Sequence, residues 1–278
     1  MRDDGYHLNE LQRAGLNILK AIDRICKRHG LTYYIYGGSL LGAYRHKGFI
    51  PWDDDVDIAM PRKDFEKFKS YHAELPDSMK IDTVRDKGHQ WTNAHVEDTR
   101  LKLEVGKGMK RAIMNAWVDI LIIEGVPKPG TFKYKMFSLF YLSARLLYKF
   151  SNFSNEVDLA KKRSKLESFF ISFAKISHIE AIINQHVAGS YLDWVAQRYD
   201  VDNCEYVATL GGTLKMDETM PKNWFGKSRY FQFEDMEILG MDETEKFLIK
   251  IYGSNYMTPP PMDERNQHNV QILKSREI

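Results

Sequence analysis

The chain has 278 residues, of which 43% are hydrophobic and 13% aromatic, and its formal net charge is +2. This composition supports a large core and excludes an intrinsically disordered protein, and the near-neutral charge argues against a protein whose main partner is nucleic acid. The two cysteines, Cys26 and Cys204, suit neither a metal quartet nor a disulfide framework, which favours a reduced, cytoplasmic setting.

The first part of the chain alternates short helices and strands. Leucine and isoleucine spacing predicts a helix over residues 8–29, and LTYYIY, residues 31–36, predicts a short strand. A second short helix is predicted to start at Ser39. DVDIAM, residues 55–60, has the alternation of a half-buried strand, and DFEKFKSY, residues 64–71, has a helical pattern.

The composition changes twice in the rest of the chain. AWVDILII, residues 116–123, predicts a strand that ends at a Gly- and Pro-bearing turn, and residues 131–200 have only helical periodicity. Strand patterns return in EYVATL and RYFQFEDMEIL, before a last helix, ETEKFLIKIYG. We therefore predict an α+β fold, in which helices flank a mixed β-sheet, with a core over 1–130, a helical sub-domain over 131–200 and a completing segment over 201–278.

Membrane-spanning and export signals are not expected in this sequence. The N-terminal stretch lacks the apolar run of a signal peptide. The longest apolar segment, residues 135–150, is interrupted by Arg145 and is shorter than the roughly 20 apolar residues that a spanning helix needs. A cytoplasmic protein is the expectation.

The candidate catalytic and metal-binding residues are concentrated in the stretch GGSLLGAYRHKGFIPWDDDVDIAM, residues 37–60. In its strand, Asp55 and Asp57 share one face and the apolar residues share the other. Two carboxylates held together raise each other's pKa unless a cation compensates their charge. Mg²⁺, with Mn²⁺ as an alternative, is the expected compensator, because it prefers oxygen ligands from carboxylates and phosphates.

The residues before the aspartates suit a phosphate group. Gly37 and Gly38 let the backbone approach an anion closely, and Ser39 at a helix start offers a hydroxyl and free N–H groups. Arg45 adds positive charge nearby. The stretch therefore predicts an enzyme that acts on a nucleotide-type pyrophosphate.

A third acid is expected from a neighbouring strand. Asp119 is a lone acid in the apolar run AWVDILII, where an unpaired buried charge would be costly. Glu124 is a weaker candidate, and an Asp119 that faces solvent is the alternative. Asp53 is assigned to the turn before the strand, and Asp54 is expected to point away from Asp55 and Asp57.

The same residues resemble a known family. GGSLLGAYRHKGFIPWDDDVDIAMPR resembles the signature of the LicD family, which looks like a divergent branch of the nucleotidyltransferase superfamily. The leading helix, the strand WVDILIIEGVP and the tail YGSNYMTPPPMDERNQH are also similar to that family. Residues 122–124 and 254–255 depart from its pattern, and residues 131–200 match it poorly. The resemblance implies a nucleotidyltransferase-like sheet with a helical insertion.

What the resemblance implies is a metal-dependent transfer of a phospho-alcohol group from a CDP-linked donor to a glycan hydroxyl, with release of CMP. Phosphocholine is the first choice of group, ribitol phosphate is moved by fukutin-type relatives, and the acceptors are teichoic acid, lipopolysaccharide or a lipid-linked precursor. The implied metal ligands and catalytic acids are Asp55, Asp57 and Asp119, with Asp119 as the group that takes the acceptor's proton. The implied contacts to the donor's phosphates or the acceptor are Gly37, Gly38, Ser39, Arg45, Arg100 and Lys102.

Two further alternatives stay open at this point. A nucleotidyltransferase that attaches NMP from an NTP to a small molecule or RNA would keep the fold and change the leaving group, and a relative without activity would keep the fold alone. The basic residues of 131–165 suit contact with a lipid-linked acceptor or the inner membrane face, whereas a helical pair with a solvated charged face is the simpler alternative. These residues are Lys133, Lys135, Arg145, Lys149, Lys161, Lys162, Arg163 and Lys165.

Overall fold

The computed structural model describes residues 8–89, 91–107, 110–152, 179–212, 215–227, 229–262, 265 and 270–275. Within these ranges the strands are β1 (Tyr34–Ile35), β2 (Asp57–Pro61), β3 (Met79–Asp82), β4 (Ala94–Lys107), β5 (Lys110–Val126), β6 (Tyr206–Thr209), β7 (Met220–Pro221), β8 (Arg229–Phe233), β9 (Met236–Gly240) and β10 (Val270–Ser275). The helices are α1 (Glu10–His29), α2 (Gly37–His46), α3 (Arg62–Ser70), α4 (Phe132–Ser151), α5 (Ile179–Ile182), α6 (Gln185–Ala196) and α7 (Thr244–Tyr252).

The main sheet is mixed and its path runs β1-β2-β5-β4-β10. β2 and β5 pair in parallel, while β1 with β2 and β4 with β5 are antiparallel. β3 pairs with β4, β6 pairs with β5, and β7 pairs with β6. β8 and β9 form a separate hairpin. The predicted α+β class, a mixed sheet flanked by helices, is confirmed by this architecture.

The first helix is defined by its ends. Asn9 Oδ1 accepts from Gln12 N at 2.8 Å and Gln12 Oε1 accepts from Asn9 N at 3.1 Å, which is a reciprocal capping box. Gly30 ends the helix in the left-handed conformation, at φ 62°. Gln12 also donates from Nε2 to the carbonyl of Asp53 at 2.7 Å, so α1 holds the acidic loop in place. The predicted helix is confirmed and begins at Glu10.

Several element boundaries differ from the predictions. α2 begins at Gly37, two residues before the predicted start at Ser39, because the glycine pair belongs to its first turn. β2 begins at Asp57, so Asp55 precedes the strand. β10 was not predicted; its residues follow a Pro-rich tail and become a strand by pairing with β4.

The described helices of the predicted 131–200 block pack against the core. α4 and α6 share a buried cluster with the main sheet, through Tyr141, Tyr148, Leu192 and Val195 among others. The division of the chain into three units stays a prediction. In the described ranges, no helix has the length and hydropathy that crossing a bilayer requires.

The contact of α6 with the loop after β3 is unusually close. A Cβ added at Gly189 would lie 1.8 Å from the carbonyl oxygen of Val84. Such a distance forces the backbone apart, since the obstructing atom is itself backbone. Gly189 therefore sets how closely α6 approaches the core.

We predict that Gly189→Ala destabilises the protein. Alanine in a helix interior gains up to about 1 kcal/mol over glycine, but overpacking against backbone costs about 1–3 kcal/mol, so the free energy of unfolding should fall. Urea denaturation measures it. Ser190→Ala in the same helix is the control and should stay within about 0.5 kcal/mol of the unsubstituted protein; an unchanged Gly189→Ala would contradict the close packing.

Candidate functional site

Three carboxylates meet where β2 and β5 run side by side. The parallel register pairs Asp57 directly with Asp119, and Asp119 N donates to the carbonyl of Val56 at 2.8 Å. One carboxylate oxygen from each of Asp55, Asp57 and Asp119 lies within 4.8 Å of the other two. The structure thus brings together the three acids that the sequence singled out, and Asp119 is buried instead of facing solvent.

The acidic loop before β2 adds a second group. Oxygens of Asp53, Asp54 and Asp55 also lie within 4.8 Å of one another. Asp53 N donates to the carbonyl of Ile50 at 2.9 Å, which agrees with the predicted turn. Asp54, which was expected to point away from Asp55, is next to it.

The N-terminus of α2 faces these carboxylates. Gly37 has φ 51°, and a Cβ on it would lie 2.6 Å from Asp57 Oδ2; a Cβ on Gly38 would lie 3.0 Å from Asp53 Oδ2. A side chain at Gly37 would be strained by the backbone and would displace the carboxylate of Asp57, and one at Gly38 would be tight against Asp53. The positive end of the helix dipole favours negative charge at this place.

Ser39 connects α2 to β2. Its Oγ accepts a hydrogen bond from Asp57 N at 2.9 Å, and the residue is buried. Tyr36 N donates to the carbonyl of Asp57 at 3.0 Å. Both backbone groups of Asp57 are thus held from the start of α2, so Ser39 fixes the position of a carboxylate.

Asp119 is oriented by side chains that sequence reasoning missed. Trp117 Nε1 donates to Asp119 Oδ2 at 2.9 Å, and Asn93 Nδ2 donates to Asp119 Oδ1. His95, which is fully buried and pairs with Asp119 in the antiparallel β4–β5 register, has Nε2 2.9 Å from Asp119 Oδ1. The period of two between Trp117 and Asp119 could have suggested their shared face, but the cross-strand register of Asn93 and His95 is not readable from the sequence.

The closeness of the carboxylates shifts the pKa values of groups in the site. Burial, and then the charges of Asp55, Asp119 and Asp53, raise the pKa of Asp57 well above its ordinary value. Burial, and then the charges of Asp57, Asp53 and Asp55, also raise the pKa of Tyr252, whose hydroxyl reaches the start of α2. Tyr252, from the end of α7, is another residue that sequence reasoning did not assign to the site.

The predicted basic residues lie at different distances from the acids. Arg45 donates from Nη1 to the carbonyl of Tyr256 at 2.8 Å, and its guanidinium lies 5.9 Å from the ring centroid of Trp52, next to the acidic loop. Arg265 stacks on the same ring at 4.0 Å. Arg45 is thus beside the candidate site.

Arg100 and Lys102 are not brought to the carboxylates. Arg100 forms a salt bridge with Asp98, and Lys102 pairs with Asn115 in the β4–β5 register. Asn115 is four residues before Asp119 on β5, a separation of about 13 Å along a strand. Their proposed contact with donor or acceptor stays a prediction.

Glu124, the weaker candidate for the third acid, has other partners. It is buried and forms an ion pair with Arg62, which also contacts Asp193 of α6 at 2.9 Å. Burial raises the pKa of Glu124 to about 7 even though Arg62 lowers it. Glu124 therefore binds Arg62 of α3, which also reaches α6, and Glu124 is not part of the carboxylate cluster.

Comparison with known proteins points to one family. The model of the family described as "LicD/FKTN/FKRP, nucleotidyltransferase domain" matches residues 30–140. The chain is 29% identical, over 95% of its length and 96% of the relative, to the lipopolysaccharide cholinephosphotransferase LicD of Haemophilus influenzae. It is 33% identical to the human ribitol 5-phosphate transferase FKRP over 87 residues, which are 31% of this chain and 15% of that relative. The matched family segment contains the three carboxylates.

The raised pKa of Asp57 predicts that the free energy of unfolding depends on pH when a chelator keeps metal ions away from the protein. A carboxyl whose folded pKa is raised stabilises the fold fully below its unfolded pKa, and this contribution is lost as the pH rises through the folded pKa. The free energy of unfolding in EDTA should therefore decrease as the pH rises above the range in which an ordinary aspartate ionises. Asp57→Asn should flatten this decrease and make the protein more stable at the upper pH.

Chemical denaturation across this pH range is the measurement. Asp77→Asn, on the exposed turn before β3, is the matched control and should keep the slope of the unsubstituted protein. Equal slopes for Asp57→Asn and the unsubstituted protein would contradict the electrostatic crowding.

Proposed function

Because this chain carries a LicD-family domain, we propose that it is a metal-dependent cytoplasmic transferase with a nucleotidyltransferase-like catalytic core. In this proposal it moves a phospho-alcohol group, phosphocholine as the first choice, from a CDP-linked donor to a hydroxyl of a cell-surface glycan or its lipid-linked precursor, and CMP leaves. Two relatives are named as a cholinephosphotransferase and a ribitol 5-phosphate transferase, which supports transfer of a phospho-alcohol group in general. The single observation that supports it best is the carboxylate cluster of Asp55, Asp57 and Asp119 within the matched segment.

The residues present fit a divalent cation. Three carboxylate oxygens from separate side chains within 4.8 Å of one another offer the hard ligands that Mg²⁺ and Mn²⁺ prefer. Burial and the charges of Asp55 and Asp119 raise the pKa of Asp57, and a cation at the cluster would favour its charged form. When bound, a cation there would neutralise the donor's pyrophosphate and the charge that develops on the transferred phosphoryl group.

The start of α2 and Arg45 would receive the donor's phosphates. The helix start at Gly37 and Gly38 lies beside the cluster, and the N-terminus of a helix favours anions. Arg45 adds a guanidinium at the edge of the acidic loop. Ser39, which sequence reasoning gave to the phosphates, supports the site by holding the amide of Asp57.

The contacts of Asp119 favour a ligand role over a proton-accepting one. Both of its oxygens already accept N–H donors, from Asn93 and Trp117. Such hydrogen bonds fix the orientation of a carboxylate, as the outer partners of metal ligands do. We therefore assign Asp119 to the cation, and the proton of the acceptor hydroxyl to another carboxylate of the cluster.

Nucleotidyl transfer from an NTP is the second candidate function. It is favoured by the description of the matched family model as a nucleotidyltransferase domain. The two reactions differ in what leaves. Phospho-alcohol transfer from a CDP-linked donor releases CMP, and nucleotidyl transfer from an NTP releases pyrophosphate.

We expect CMP release with one member of a donor panel in the presence of Mg²⁺. The panel is CDP-choline, CDP-ribitol, CDP-glycerol and CDP-ethanolamine, and nucleotide release is followed by chromatography. Asp57→Asn should lower the rate by about 1,000-fold or more, because the transfer depends on positioning and charge neutralisation. Asp77→Asn should retain the rate.

The same assay can also contradict the proposed reaction or its proposed site. No release from any CDP-linked donor, together with pyrophosphate release from an NTP, would replace the proposal with nucleotidyl transfer. An Asp57→Asn enzyme that remains active and responds to Mg²⁺ would exclude the carboxylate cluster as the reaction centre.

Trp117→Phe tests how Asp119 is oriented. The substitution keeps the ring and removes the N–H that donates to Asp119 Oδ2. Loss of such a partner of a metal ligand typically weakens metal affinity by about 10–100-fold, so half-maximal activity should need correspondingly more Mg²⁺, while the KM for the donor at saturating Mg²⁺ changes little. Trp91→Phe, in the same aromatic cluster beside His95, is the control. An unchanged Mg²⁺ requirement in Trp117→Phe would contradict the assigned role.

A further inference from the structure

α4 has apolar side chains on its exposed side as well as on its buried side. One stripe, which includes Phe137, Tyr141 and Tyr148, is buried in the cluster that joins α4 to the sheet. Leu139, Leu142 and Leu146 recur at helical spacing on the opposite side, and their exposed fractions are 62%, 41% and 51%. A contiguous row of exposed large apolar side chains, unlike scattered single ones, marks an interaction surface, so the outer stripe indicates a partner.

α6 repeats the same pattern beside α4. Val187, Tyr191 and Trp194 follow one another at i, i+4 and i+7, and all three are exposed. The rings of Tyr191 and Trp194 stack with centroids 6.0 Å apart, and the guanidinium of Arg198 lies 3.7 Å from the ring centroid of Trp194. The two outer stripes together are called the α4–α6 face.

A hollow of about 730 Å³ lies between the two helices. Aromatic side chains from both sides line it, among them Phe132, Phe140, Tyr191 and Trp194. Tyrosine and tryptophan are typical of surfaces where an apolar phase meets water. The hollow is therefore an exposed aromatic surface to which both helices contribute.

The charge of this face has a single sign. α4 contains Lys133, Lys135 and Lys149 and no acidic residue, and Arg198 follows α6. The one acid of α6, Asp193, is buried and bound to Arg62 and Arg85. Arg145 is also withdrawn from the surface, because it donates to the carbonyls of Leu210 and Gly211. A second copy of the chain would oppose cations with cations, whereas an anionic surface would complement them.

We propose that the α4–α6 face binds the surface of a membrane that contains anionic lipids. The exposed leucines and aromatic rings enter the interfacial region, and the lysines and Arg198 meet the negative headgroups. From the sequence, the basic residues of 131–165 were expected to contact a membrane or to face solvent. In this proposal the outer stripes of α4 and α6 form the membrane contact, and Arg145 takes no part in it. Lys161, Lys162, Arg163 and Lys165 lie outside the described residues.

Vesicle flotation of the full chain tests this face without any donor or acceptor, so its result is independent of the proposed reaction. The vesicles are phosphatidylcholine alone or an equal mixture with phosphatidylglycerol. The protein should float with the mixed vesicles and much less with phosphatidylcholine. Leu139→Glu with Leu146→Glu should lower the bound fraction by about tenfold or more, because two apolar side chains become charged. The triple variant Lys133→Ala, Lys135→Ala, Arg198→Ala should remove the preference for phosphatidylglycerol.

Tyr230→Glu, at a similarly exposed aromatic residue on β8, is the control and should bind like the unsubstituted protein. Absence of flotation with either vesicle would overturn the proposal. In that case, light scattering that shows a dimer broken by the leucine variant would assign the face to a second copy. A monomer whose melting temperature falls in that variant would assign it to residues 153–178 of the same chain.

Discussion

The parallel pairing of β2 with β5 is the constraint on which the site depends. It places Asp57 opposite Asp119 and brings the loop that carries Asp55 to the same edge. A shift of one residue in this register would turn one of the two carboxylates to the opposite face of the sheet, into the apolar core. Val56, Ile58 and Ile120 prevent such a shift, because each is fully buried. The hydrophobic core therefore fixes the geometry of the charges.

Holding these carboxylates together is unfavourable in the absence of a counter-charge. Burial and like charges raise the pKa of Asp57, and the surrounding structure offsets part of this cost. The positive end of the α2 dipole lies beside Asp57, and Trp117 and Asn93 donate to Asp119. A proposed cation would supply the remaining compensation, which links the architecture of the sheet to the chemistry of transfer.

The sequence was sufficient to identify the acids but not their surroundings. Period-two alternation and a lone acid in an apolar run singled out Asp57 and Asp119, because strand alternation is local information. The roles of His95 and Ser39 depend on which strand or helix lies next to them, and a single sequence does not contain that register. The salt bridge of Arg100 with Asp98 likewise depends on the folded backbone of β4 and is not readable from the sequence. β10 was missed because its strand conformation comes from its pairing with β4.

A crystal structure of the protein grown with Mn²⁺ tests the central claim most directly, because the anomalous signal locates the ion without reference to activity. The account predicts an anomalous peak coordinated by carboxylate oxygens of Asp55, Asp57 and Asp119, which is lost in Asp57→Asn. A structure with these carboxylates ordered, Mn²⁺ present in excess and no peak between them would contradict it.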